Sequence, residues 1–462
     1  MRISYKSASG RDLMPGKTNG VGPMAGAKIV VIGGGSYLWS PRMMQDLVLE
    51  EGLEGSTITL MDIASEPLQL MLKLGEKIIR RAKTDSKIEG TTNRREALEG
   101  ADYVILTIST GGFETMKHDL DIPLKYGVYQ PVGDTTGPGG ISRALRNIPV
   151  VVDIAKDMED LCPNAWLINY TNPMTTLCRA VNRTTKIRTI GLCHELFGTL
   201  HWLQEALHVE NESDIHVKIA GINHLVWILD LRIKGEDGFP LLKRYMESRG
   251  DSILDRGRVA VNLELFKVFG CLPVAAARHT SEFFPYFLTE ETQAGKKFGI
   301  KLTTIADRVR RAAKERENAE KMVRGERPLR LVKSEETASR IISALANRKD
   351  EVHVMNLPNR GQVANLPRDA VVETYGVVGA RGACGMEVGD LPLGVLNTLY
   401  PHVVKYELTV EAALTGDRNL ALQAMLTDPL IRNFESASKM LDELLEANAE
   451  YLPQFFGGEK SA

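Results

Sequence analysis

The nine residues KIVVIGGGS, Lys28 to Ser36, carry an unbroken apolar run straight into three glycines. A strand buried on both faces of a parallel sheet reads as such a run, and glycines between it and a helix let the backbone turn tightly against a pyrophosphate. Downstream, SPRMMQDLVLEEG predicts a helix with Ser40 as N-cap, Pro41 in its first position and Gly52 near its end. STITLMDI supplies a second apolar run ending at Asp62, and ADYVILTIST a third ending at Thr110. This order is that of a dinucleotide-binding unit. Gly33, Gly35 and Ser36 form its turn, Thr110 lies at a neighbouring strand end, and Asp62 is placed to accept from the adenosine ribose hydroxyls and repel a 2′-phosphate, which favours NAD over NADP. Two departures stand out. The third glycine of G-x-G-x-x-G is Leu38 here, and Asp62 lies farther from Gly35 than the usual spacing of about 20, a gap that the turn EEGLEG accounts for.

The pattern continues with helical GGISRALRNIPVVVDIAKDMEDL and two more buried strands, AWLINYTNP and IRTIGLCHE. Strands alternating with helices imply an α/β fold with a Rossmann-like parallel sheet. After Leu196 the rhythm changes: DIHVKIAGINHLVWILDLRI reads as antiparallel strands, TTIADRVRRAAKERENAEKMVRG as a long helix, EVHVMNLPNRGQVANLPRDAVVETYGVVG as a second β section, and three helical segments follow from about Leu393. The expected organisation is an N-terminal extension over residues 1–26, an NAD-binding domain over 27–196, and a mixed α+β domain for substrate and metal over 197–462.

Composition excludes several classes. With 57 basic and 59 acidic residues the chain has no global field for nucleic acid or an anionic membrane. No stretch approaches the roughly 18 apolar residues of a membrane span and no apolar signal core opens the chain, so a cytoplasmic protein is expected. Five widely spaced cysteines do not form a disulfide framework. The charge run from Arg308 to Arg327 reads as a solvated helix face.

NYTNPM and GLCHELFG follow successive parallel strands, which puts Asn172, Cys193 and His194 at carboxyl ends, where such sheets bind ligands. GINHLVW adds His224. A thiolate and an imidazole can hold a divalent metal with positions left open for substrate oxygens; the alternative is a buried thiol and a structural histidine. An ordinary NAD-dependent 2-hydroxy-acid dehydrogenase, or a protein that senses NAD without turnover, would share the nucleotide fold.

Six motifs in order, VGDTTGPGGISR, INYTNPM, GLCHELFG, GINH, RHTSEFFPYF and MNLPNRGQVANLP, resemble glycoside hydrolase family 4, and within it the α-galacturonidase branch. The α-glucosidase, α-galactosidase and α-glucuronidase branches share the Cys-His pair. The resemblance implies a malate- and lactate-dehydrogenase-like nucleotide domain, a saccharide substrate derived from pectin, NAD and a divalent metal (usually manganese) as cofactors, and a homodimer or homotetramer. It also implies oxidation at C3 of the sugar, removal of the C2 proton, elimination at C1, addition of water and return of the hydride, outside the two-carboxylate scheme of most glycosidases. By motif, Cys193 and His224 match metal ligands. His194 matches an assisting acid or a substrate or metal contact, Asn172 a sugar contact or helix cap, and Asp134 a substrate contact or turn-former. The family's tyrosine base has no counterpart, and Ala277 stands near where some members carry an aspartate. His279 is the local substitute, with Glu282, Tyr286 and a metal-bound hydroxide as rivals. Arg278, and Arg143 or Arg146 on the helix opened by GPGG, are the candidates to take a uronate carboxylate, with Arg278 preferred.

Overall fold

The computed structural model describes residues 26–250 and 257–457. The expected extension therefore lies, apart from Gly26, outside the described residues. The strands, in chain order, are β1 (Lys28–Ile32), β2 (Thr57–Met61), β3 (Lys87–Thr91), β4 (Tyr103–Leu106), β5 (Trp166–Asn169), β6 (Arg188–Gly191), β7 (Ile215–Ile222), β8 (Leu225–Ile233), β9 (Glu236–Asp237), β10 (Leu272–Pro273), β11 (Glu351–Pro358), β12 (Val371–Gly379) and β13 (Gly382–Gly385). All belong to one sheet, with β10-β8-β7-β12-β11-β6-β5-β4-β1-β2-β3 as its path and β9 and β13 as side pairings.

From β3 to β6 the pairing is parallel, as the apolar runs predict. Alternate residues of β1 serve two cores. Val30 and Ile32 pack beneath the helix Gly137–Leu161 and the C-terminal helices, while Ile29 and Val31 pack under the helices Ser40–Leu49, Ser65–Ala82 and Ala338–Ala346. Burial on both faces is why β1 lacks hydrophobic alternation. β3 escapes notice in the sequence because KIEGT is an edge strand with three of its five residues exposed. The parallel sheet continues into antiparallel strands through Asn356 of β11, which pairs with Gly191 of β6.

One predicted detail is corrected. Trp39, not Ser40, occupies the N-cap of the first helix, and the Ser40 hydroxyl is buried with no partner among the described residues. Ser36 takes the capping task, its Oγ accepting from the Trp39 N–H at 3.2 Å. Glycines at φ 85° and 70°, Gly52 and Gly55, turn the chain between that helix and β2, which explains the long spacing to Asp62.

The strands β7 and β8 form a hairpin whose two-residue turn is Asn223-His224. His224 adopts φ 67°, the left-handed region that a non-glycine residue occupies only when its surroundings hold it there. A side chain at Gly221 would meet the Leu225 carbonyl at 2.2 Å, so the tightness of this turn depends on glycine. No helix among the described residues is long and apolar enough to cross a membrane.

Candidate active site

The glycine turn lies at the carboxyl ends of β1 and β2. Gly33 has φ 92°, and a Cβ there would stand 2.0 Å from the Thr107 carbonyl oxygen. The Gly33 and Gly34 N–H groups both donate to the Met61 carbonyl at 2.9 Å, and the Gly35 N–H donates to Asp62 Oδ2 at 2.9 Å. The glycine amides are thus used to shape the turn. Those of Tyr37 and Leu38, at the helix entrance, have no partner among the described residues and are the ones left for an anion. Asp62 Oδ1 accepts from Ala64 N–H at 2.9 Å, so the carboxylate is fixed at the strand end with lone pairs to spare. Thr110 is fastened to the helix Gly137–Leu161: its N–H donates to Asn147 Oδ1 at 3.2 Å and its carbonyl accepts from Arg146 Nε at 3.1 Å. Arg146 cannot serve a substrate, because it is fully buried against Asp119, with Nη1 2.8 Å from Oδ1.

A second group of side chains converges farther along the same sheet edge. Thr135 donates its one hydroxyl proton to Asp134 Oδ1 at 2.9 Å and lies 2.8 Å from His224 Nδ1. His224 must then donate through Nδ1, which leaves Nε2 with its lone pair. Burial, with His279 beside it, lowers the His224 pKa to about 3, and a neutral imidazole is the form that binds metal. Burial pushes the Asp134 carboxyl up, but Arg143, His279, His224 and Arg308 together hold it below the usual range.

The ring of His279 lies 4.2 Å from that of His224. Its Nε2 faces Glu195 Oε1 at 3.7 Å, and its Nδ1 is buried with no partner among the described residues. Burial lowers its pKa to about 4. Glu195 Oε2 in turn accepts from Ala276 N–H at 2.9 Å, tying the loop after β6 to the segment that carries His279. Half-buried Cys193 lies beside the Asn223 amide; burial, then Glu373 and Glu195, push its thiol well above the ordinary value. His194 stands on the outer side with its Nδ1 3.2 Å from Glu336 Oε1, a contact that raises its pKa.

Arg143 donates from Nε to the Asn172 carbonyl at 2.9 Å, and Asn172 Oδ1 accepts from Met174 N–H at 3.2 Å at the start of the next helix. Arg278 spends Nη2 on the Pro131 carbonyl (3.0 Å) and Thr303 Oγ1 (2.7 Å), while its Nε is buried without a partner among the described residues. Of the rival bases, Glu282 anchors the Asp134 loop, its Oε1 accepting from Val132 N–H at 2.7 Å and Gly133 N–H at 2.8 Å. Tyr286 is 56 % exposed and packs on Phe284 and Phe287.

Thr135, Glu195, Asn223 and Asn356 sit inside the six motifs and Glu373 outside them, and sequence reading missed all five. The charge run places Arg308 on a solvated helix face. Most of that helix, Ile305–Arg324, is solvated, but Arg308 near its start contributes to the field on Asp134.

A Rossmann-like parallel sheet, with a glycine turn at the carboxyl ends of its strands and Cys193 and His224 along the same edge, defines a dinucleotide-fold protein. Residues 28–209 match the family 4 glycosyl hydrolases and residues 219–431 match the C-terminal domain of the same family, so the chain belongs to family 4 of the glycosyl hydrolases. It is 36 % identical over 446 residues to an alpha-galacturonidase of Thermoanaerobacter italicus, covering 92 % of this chain and 97 % of that one. It is 35 % identical to an alpha-galactosidase of Bacillus subtilis, covering 93 % and 99 %. Among solved structures, a putative glucosidase, lplD, of Bacillus subtilis superposes with TM-score 0.84 at 33 % identity, covering 91 % of this chain and 100 % of that one. A 6-phospho-beta glucosidase of Thermotoga maritima, solved with manganese, NAD+ and glucose-6-phosphate, superposes with TM-score 0.76 at 25 % identity, covering 92 % and 98 %.

Proposed function

We propose that this glycosidase is an α-galacturonidase that works by oxidation and elimination with NAD and a divalent metal, manganese. The observation that supports this reading best is the Asp134–Thr135–His224 relay, which turns the His224 Nε2 lone pair free at a sheet edge that also carries Cys193 and the glycine turn. When bound, NAD supplies a hydride acceptor and the metal a Lewis acid for sugar oxygens. Cys193 and His224 would hold the metal. Among the described residues no group of three or more His, Cys, Asp or Glu side chains forms a metal set, so substrate hydroxyls would complete the shell. Gly33, Gly35, Ser36, Asp62 and Thr110 would shape the dinucleotide site, with the Tyr37 and Leu38 amides toward the pyrophosphate.

His279 is the base for the C2 proton. Its Nε2 faces Glu195, which favours the tautomer that leaves Nδ1 as acceptor, and burial keeps the ring neutral at physiological pH. As the C2–H bond breaks, its electron pair forms the C1–C2 double bond and the C1–O bond breaks. His194, whose proton is held more firmly through Glu336, donates to the departing oxygen. Asn172, Asp134 and Arg143 flank the sugar.

A C6 carboxylate suits the cationic surround of Arg143, Arg278 and Arg308. Arg278 has Nη2 committed to the Pro131 carbonyl and Thr303, while its buried Nε is without a partner among the described residues and is the charge-assisted donor to offer. The neutral-sugar branches, α-galactosidase and α-glucosidase, and α-glucuronidase are the alternatives within the family. A cytoplasmic homodimer or homotetramer is expected, and gel filtration checks the assembly. The test is hydrolysis of nitrophenyl α-galacturonide and nitrophenyl α-galactoside with NAD, Mn²⁺ and a thiol reductant. Faster cleavage of the galacturonide is expected. Preference for the galactoside would move the assignment to α-galactosidase, and stoichiometric NADH from a 2-hydroxy acid would make the protein a dehydrogenase.

A further inference from the structure

A row of four residues crosses the sheet at the active-site edge: Gly191 of β6 pairs with Asn356 of β11, Asn356 with Glu373 of β12, and Glu373 with Gly221 of β7. Gly191 leaves room for its neighbours; a Cβ there would stand 2.9 Å from the Met174 side chain and 3.0 Å from Asn356 Cβ. Glu373 is 2 % exposed, and its Oε2 accepts from Asn356 Nδ2 at 2.7 Å and from Asn223 Nδ2 at 3.2 Å. Asn356 Nδ2 also reaches the Gly191 carbonyl at 3.4 Å, two residues before Cys193. Asn223 directly precedes His224, donates its N–H to Thr175 Oγ1 at 3.2 Å, and lies beside the Cys193 thiol. The Oδ1 atoms of both asparagines are buried with no partner among the described residues.

A buried carboxylate in a β-strand is costly unless it is paired, and no cation pairs with Glu373 among the described residues. Its two partners instead lead to the two segments that must be brought together. Asn223 belongs to the hairpin turn that carries His224, and Asn356 of β11 reaches the Gly191 carbonyl, where the chain leaves β6 for the loop that carries Cys193. We propose that Glu373 is a positioning residue that holds the Cys193 and His224 segments in register through Asn356 and Asn223, and so sets the affinity of this pair for a divalent metal. His224 is secured independently by Thr135, so loss of Glu373 loosens the geometry of the pair and leaves the His224 tautomer in place. The inference rests on the proposed metal role of Cys193 and His224.

The experiment measures Mn²⁺ binding by calorimetry and NAD binding by fluorescence for the full chain and for Glu373→Met and Asn223→Ala, with thermal midpoints alongside. Both asparagines donate to the one Oε2 atom, and methionine keeps the length of the side chain while removing that shared acceptor. Asn223→Ala removes the bridge to the hairpin turn and leaves Glu373 its bond from Asn356. Outer-shell partners of metal ligands typically govern affinity by 10–100-fold, so a loss of roughly 10–100-fold in Mn²⁺ affinity is expected in both variants, with NAD affinity within about two-fold of wild type. Unchanged Mn²⁺ affinity in either folded variant overturns the proposal. So does a parallel loss of Mn²⁺ and NAD affinity with a collapsed midpoint in both, which marks a structural role only. A wild-type protein that binds NAD but no Mn²⁺ overturns the metal reading itself, and is told apart by that arm alone.

Discussion

At the scale of single residues, the site depends on which atoms are already committed. His224 keeps its Nε2 lone pair and the Cys193 sulfur is met by the Glu195 N–H and the Asn223 amide, while Arg146, on a motif equally suggestive in sequence, is closed off by Asp119. Cys193→Ser should abolish metal-dependent turnover, by more than roughly 100-fold in kcat, and leave NAD affinity unchanged, because a hydroxyl is a far poorer anionic ligand than a thiolate. Full activity in the serine variant, or activity that survives a chelator in wild type, would remove Cys193 from the metal's shell. Asp62 fixes Gly35, and in the proposed dinucleotide site it would meet the ribose, so Asp62→Ala should weaken NAD more than NADP; titration of the two cofactors reads the ratio, and an unchanged preference would deny Asp62 that place. The run of six motifs singled out Cys193 and His224 as candidates without a structure. It could not reveal that Thr135 fixes the tautomer of His224, because that depends on a hydrogen bond between residues 89 positions apart.

Among the elements, the strand ends decide which side chains meet. The runs that begin at Lys28, Ser56 and Ala101 announce a parallel sheet because both faces of their strands are buried, whereas KIEGT carries no such signal at its exposed edge. Glu373 was visible in VVETYG as a charge inside an apolar strand, yet only the register of β12 against β7 and β11 says what it holds. The glycine turn gives a prediction at this level. In Gly33→Ala the new methyl would stand 2.0 Å from the Thr107 carbonyl at a positive φ, so β1 and the loop after β4 must separate. NAD affinity should fall by at least about ten-fold, equivalent to 1.4 kcal/mol, while Mn²⁺ binding at the other end of the edge persists. Equal loss of both ligands would show that the two ends are not separable.

Over the whole molecule, one continuous sheet joins a parallel half to an antiparallel half, and the C-terminal helices brace it from behind. Lys405 and Asp428, 1 % and 0 % exposed, meet at 2.6 Å, and Asp428 also accepts from the Gly137 N–H at 3.0 Å where the helix beneath the site begins. Asp428→Asn should cost about 3–5 kcal/mol, since it leaves a buried ammonium unpaired, and urea unfolding reads the change. Burial pushes the Asp428 carboxyl up, but Lys405 and His402 hold it below its ordinary value. Its contribution is therefore complete above the unfolded carboxylate pKa and is lost as pH falls through the lowered folded value, so the variant should be less acid-sensitive than wild type. Equal acid sensitivity would contradict that sign.

Oxidation and elimination leave a mark that no direct displacement leaves, because the C2 proton must depart and return. The most direct measurement is turnover of nitrophenyl α-galacturonide in deuterated water with NAD and Mn²⁺, with the released sugar examined for deuterium and the NADH absorbance followed throughout. The oxidation and elimination route predicts deuterium at C2 and many turnovers without net NADH. Release of nitrophenol with C2 wholly protiated, and with no slowing when C2 of the substrate is deuterated, would contradict it.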